Sequence, residues 1–142
     1  MKKILITGVV ASLTFQAMAD SPFERSVEEL LKQYNYNKDI SIASDALIRC
    51  ASLINMANMI TSAPDGITLD PNEIFVGAIA IGADTSEKQS PTQTIETFRE
   101  YSKQYQRWFK DAGEENKNPF SSPELKQEFE ICDEAAREFL GK

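Results

Sequence analysis

Histidine does not occur anywhere in the 142 residues. Without it the chain has no Ser-His or Cys-His nucleophile, no His-ligated metal or haem, and no imidazole acid–base step. Cysteine occurs only as Cys50 and Cys132. Two cysteines so far apart form neither a C-x-x-C redox motif nor a zinc spacing, and they are too few for a disulfide-dense mini-scaffold. Glycine and proline number only six each, which excludes collagen-like sequence and argues against disorder. No phosphate-binding loop, EF-hand, internal repeat or low-complexity tract is present, and no cofactor or metal is expected. Met56 and Met59 supply two thioethers, but beyond residue 19 no further Met or His is present to complete a Cu(I) site.

Positive charge is scarce as well: 15 Lys and Arg stand against 22 Asp and Glu, a formal charge of −7. Nucleic acid and anionic lipid are poor partners for such a surface. What is present begins with an address. Met1-Lys2-Lys3 is a short positive start, Ile4 to Phe15 an apolar stretch, and Ala17-Met18-Ala19 the small-x-small pattern of signal-peptidase cleavage. The apolar stretch is about 12 residues, broken by Thr7, Gly8, Ser12 and Thr14, against the roughly 20 that span a bilayer, so no stable membrane insertion is expected. No cysteine follows it as a lipid attachment site. The signal is bacterial in character. Residues 1–19 are expected to be removed, leaving a single helical domain, 20–142, in the periplasm or outside the cell. Losing Lys2 and Lys3 leaves 13 basic against 22 acidic residues, a charge of −9. An oxidising compartment predicts a Cys50–Cys132 disulfide, which by loop-closure entropy contributes up to about 4.5 kcal/mol.

A capping residue followed by proline recurs at Ser21-Pro22, Asp70-Pro71, Ser90-Pro91 and Ser122-Pro123, and in three of these Glu24, Glu73 or Gln93 stands three places after the cap. Four such helix starts predict an all-α fold: a compact bundle of four main helices plus a short N-terminal one. The first helix is expected over 22–34, with a possible restart at Ser26 opposite Glu29. The second, over 39–63, carries Ala43, Leu47, Cys50, Leu53, Ile54, Ala57 and Ile60 at helical spacing and should be central. Pro64-Asp65-Gly66 then makes a turn. The run from Ile74 to Ala83 is continuously apolar and β-branched enough for a strand, but the Asp70 cap and the alanines favour a helix over 71–86. Ala78 and Gly82, one turn apart, would admit a close neighbour. Its apolarity all round places it in the middle of the bundle. Ile95, Phe98, Tyr101, Tyr105, Trp108 and Phe109 mark a helix from 90 to 112, ended by Gly113, with a polar loop over 114–121 anchored by Pro119 and Phe120. Leu125, Phe129, Cys132, Ala136 and Phe139 mark the last, 123–140, stopped by Gly141.

Four constellations bear on function. Arg99, Lys103 and Arg107, with Lys110 near, form a basic stripe that Glu96 and Glu100 can neutralise at i+3, which reads as a solvated face. Tyr101, Tyr105 and Trp108 are an alternative aromatic site for a sugar ring or peptide, though their spacing is that of a core. The acids Asp39, Asp45, Asp65, Asp70, Glu73 and Asp84 lie mostly in caps and turns. Glu128, Glu130, Asp133, Glu134 and Glu138 give the last helix an acidic outer face, of which Glu130, Asp133 and Glu134 are the candidate partner-binding residues.

These readings favour a non-enzymatic exported binding protein that acts on another protein, with a basic partner suited to the acidic face. Immunity proteins, inhibitors and acid-stress chaperones are comparable in class, without any motif in common. The alternative is a small carboxylate-dependent hydrolase or cell-wall lytic enzyme, which would require a raised-pKa acid beside a second acid in a cleft.

Overall fold

The computed structural model describes residues 21–59, 69–83, 90–116 and 118–141. The signal segment with its cleavage point, the turn at Pro64-Asp65-Gly66, the acids Asp65 and Asp84, and the expected helix ends at 60–63 and 84–86 lie outside them. The described residues form five α-helices and no strand: α1 (Val27–Asn37), α2 (Ile40–Asn58), α3 (Pro71–Ala83), α4 (Pro91–Asn116) and α5 (Pro123–Leu140), with a 3-10 turn at Pro119–Ser121 before α5.

Local chemistry accounts for most helix ends. Ser26 and Glu29 form a reciprocal capping box at the start of α1, with Oγ accepting from the Glu29 N–H at 3.1 Å and the Glu29 carboxylate accepting from the Ser26 N–H at 3.0 Å. These hydrogen bonds hold the Glu29 pKa below its usual value. Ser90 and Gln93 do the same for α4. Asp39 caps α2 through the Ser41 N–H, and Asp70 caps α3 through the Asn72 N–H. The expected start at Ser21-Pro22 is not used. Residues 21–25 run as an irregular strap in which the Ser21 hydroxyl accepts from the Phe23 N–H, because the Phe23 ring is drawn onto the core. Nor does Ser122 cap α5: its hydroxyl is buried without a partner, and Pro123 at the first helical position opens the helix. α1 ends at Lys38, which takes the left-handed conformation at φ 58° at a cost of about 1 kcal/mol.

α2 is the centre of the bundle. Ala43, Leu47, Cys50, Leu53, Ile54 and Ala57 are buried as expected, but so are Ala46, Ile48, Arg49 and Ala51, because α1, α3, α4 and α5 surround the helix. α2 is long and apolar enough to cross a membrane, yet it is mostly sheathed by protein, as a core helix is. α3 is helical rather than extended, and it packs chiefly on α2. The hydroxyl of Ser44 donates to the Ala78 carbonyl at 3.0 Å, and Ala78 and Gly82 are both buried, so the small residues do admit a close neighbour. α3 does not occupy the middle, however. Only one stripe, Ile74 with Ala78, is fully covered, and Val76 is 63% exposed on the opposite side.

α4 buries Tyr105, Trp108 and Phe109 and half-buries Phe98 and Tyr101. Ile95 departs from the expected stripe at 38% exposed, while Thr94 is buried. At 100° per residue the buried face runs through Thr94, Tyr105 and Ala112, and Ile95 falls off its edge. Gly113 does not end α4, which continues to Asn116. The 3-10 turn instead folds back here, and a Cβ at Gly113 would lie in ordinary contact with Pro119 Cγ at 3.5 Å. That turn delivers Phe120 between Phe109 and Phe129, edge-on to both at centroid distances of 5.4 and 5.0 Å. α5 ends as expected at Gly141, left-handed at φ 71°.

Cys50 of α2 and Cys132 of α5 are joined by a disulfide with Cα atoms 5.1 Å apart, and neither residue is exposed. The staple thus runs through the inside of the bundle.

Candidate functional site

The densest polar constellation is internal. Arg49, near the middle of α2, turns its guanidinium toward α5, where Nη2 donates to both carboxylate oxygens of Glu128 at 3.1 Å. Glu128 also accepts from the Tyr105 hydroxyl of α4 at 2.7 Å and from the Val27 N–H at the start of α1 at 3.1 Å. Four hydrogen bonds therefore converge on its two oxygens, which fills the in-plane acceptor sites of a carboxylate. Arg49 Nη1 donates to the Arg25 carbonyl, and the Phe23 ring lies 3.8 Å from the guanidinium carbon. One ion pair thereby ties α1, α2, α4, α5 and the N-terminal strap together.

The surroundings shift Arg49, Tyr105 and the neighbouring Tyr101. Burial, and then the Glu128 charge, push the Tyr105 phenol well above its usual pKa. Burial and the adjacent Asp45, which accepts the Tyr101 hydroxyl, raise Tyr101 likewise. Burial works against the charge on Arg49, but Tyr105 and Glu128 more than offset it, and its pKa rises.

Sequence reasoning missed this cluster and placed Glu128 on the acidic outer face. At 5% exposure it belongs inside. The signal was available: Arg49 is the one charge within an otherwise apolar stretch of α2, and Glu128 stands one turn before Cys132, on the flank of the buried face.

The other candidates separate clearly. Tyr105 is fully buried and Trp108 is 2% exposed, while Tyr101 is half-buried with its hydroxyl on Asp45, so this aromatic set is core. Arg99, Lys103, Arg107 and Lys110 are exposed along α4, and no ion pair links them to Glu96 or Glu100. Met56 packs against the core, whereas Met59 is exposed. Of the partner-binding candidates, Glu130 and Glu134 project into solvent, and Asp133 is half-buried and ion-paired with Arg137 at 3.1 Å. Among the described residues no three Cys, Asp or Glu converge as metal ligands.

A furrow runs along the seam between α1 and α5. One stretch is lined by Glu28, Trp108, Glu124 and Glu128 among others, the next by Leu31, Ala135, Glu134 and Glu138, and Ile131 lines both. Each stretch encloses about 230 Å³. The α5 residues spread over one flank of that helix, from about 70° (Glu128) to about 170° (Glu134) round from its buried stripe, while Asp133 and Glu130 lie on the opposite flank. No protein-family model, curated protein or solved structure matches the chain.

Proposed function

We propose that the chain is a non-enzymatic exported protein that binds another protein through outward carboxylates of α5. The export reading rests on the signal-like residues 1–19, and the buried Cys50–Cys132 bridge is consistent with an oxidising compartment. One observation carries the binding reading: the chemically distinctive groups of the interior are spent on one another, whereas Glu130 and Glu134 are exposed and unpaired. Glu128, the buried acid bordering a recess, has its acceptor sites filled by Arg49, Tyr105 and Val27 and is spent on structure. Exposed acids on a chain of net negative charge steer basic partners and discriminate among them. A neutralising or chaperone-like role is of this kind.

The test is affinity capture from the native cell envelope at low and high ionic strength. Wild-type protein is expected to retain a partner that salt releases. Glu130→Lys, Asp133→Lys and Glu134→Lys together should abolish capture with the helical signal and melting temperature unchanged. Capture that survives the triple reversal overturns the reading.

A further inference from the structure

We propose that the furrow between α1 and α5 seats a cationic amphipathic helix of the partner. This rests on the protein-binding reading and moves its centre from the outer face of α5 to the seam. The floor is apolar and half-buried, formed by Leu31 of α1 with Ile131 of α5, and Ala135 is buried beside them. The rim is acidic along α5, and α1 adds Glu28 at one end. Glu134 and Glu138 rise from α5 at one end, and Glu124 of α5 faces Glu28 of α1 at the other.

Among the described residues no Lys or Arg lines either stretch, although the chain places four exposed bases on α4. Lys32 pairs with Glu28 at 3.6 Å and is exposed, so it neutralises part of one end only. An apolar floor beside a row of α5 carboxylates complements a helix that carries Leu-type side chains on one face and Lys or Arg along the flank that meets α5. From Glu124 to Glu138, at 1.5 Å per residue, the furrow runs about 21 Å, the length of a helix of roughly 14 residues. The outer acids Glu130 and Asp133 lie off this line. Asp133 is engaged by Arg137, so its contribution is long-range steering.

A 14-residue Leu/Lys amphipathic peptide without tryptophan tests the proposal directly. Trp108 lines one stretch and is the only tryptophan, so its fluorescence reports occupancy, and amide shift mapping locates the peptide. The expected results are shifts concentrated on α1 and α5, and a loss of at least tenfold in affinity for Glu134→Lys with Glu138→Lys. Glu130→Lys with Asp133→Lys, an equal change of charge, should stay within threefold. Leu31→Ala should weaken the Leu/Lys peptide severalfold without changing its salt dependence, provided circular dichroism shows the fold intact.

Equal losses from the two charge-reversed pairs, equal affinity for an all-Lys peptide, shifts centred on the α4 stripe, or no binding would each overturn the furrow. So would self-association that fills it with a second copy of the chain. A native partner lost with the outer-face triple reversal but retained by Glu138→Lys and by Leu31→Ala overturns the furrow while leaving the binding reading intact. Failure to capture any partner overturns that reading itself.

Discussion

Arg49 and Glu128 meet inside the bundle across 79 positions of sequence, the guanidinium Nη2 lying 3.1 Å from each carboxylate oxygen. A buried pair of this kind contributes little net stability when whole, because desolvating both charges offsets their attraction, yet breaking it strands a charge in the core. Here the carboxylate also satisfies the Val27 N–H and the Tyr105 hydroxyl, so its loss would orphan donors on two further helices.

Glu128→Ala should therefore destabilise the fold by about 3–5 kcal/mol. Arg49→Met combined with Glu128→Leu should cost less than the two single changes added, with a coupling of about 1–3 kcal/mol in a double-mutant cycle. Denaturant unfolding of the four proteins measures this. Additive effects would show that the pair is not coupled.

The buried phenols make the fold sensitive to alkali. The pKa values of Tyr101 and Tyr105 are raised in the folded state above the ordinary 10.0. The unfolded chain therefore loses these protons first. Their stabilising contribution is complete below pH 10.0 and declines as pH rises through the folded values. Unfolding free energy should fall with pH above that point, and Tyr105→Phe should lessen the slope. Absorbance of phenolate during alkaline titration should show two of the four tyrosines ionising only together with loss of helical signal.

The Cys50–Cys132 bridge closes a loop of 82 positions around the centre of the core. Both thiols should resist alkylation until the protein is reduced. Replacing both cysteines with alanine should lower stability by about 2–5 kcal/mol. Equal stability of the oxidised protein and the double-alanine variant would contradict this.

Most of the architecture was legible because it is written in local chemistry. Ser26 with Glu29, Ser90 with Gln93, and Gly141 each act within one turn of their own helix, and the spacing about Cys50 and Cys132 sets both on buried stripes. The failures are tertiary. Ser21-Pro22 carries a helix-start signal that is overridden by the demand of Phe23 for the Arg49 guanidinium. Gly113 looks like a terminator until Pro119 is seen against it. The uniformly apolar α3 gave no periodicity from which to infer that Val76 would face outward. The α1/α5 furrow was invisible because it depends on how two helices distant in sequence pack side by side, which neither sequence stretch records. Of the three candidate partner-binding residues, Glu134 alone also lines that furrow.

On the proposed reading, interior polar groups build the scaffold while exterior carboxylates do the binding. Capture of the envelope partner by two variants side by side, each also melted, tests it most directly. The expected result is loss of capture with an unchanged melting temperature for Glu130→Lys, Asp133→Lys and Glu134→Lys together. Tyr105→Phe should show a lowered melting temperature with capture intact at temperatures where it remains folded. The reverse pattern, in which the charge-reversed protein still captures and folded Tyr105→Phe does not, would contradict it.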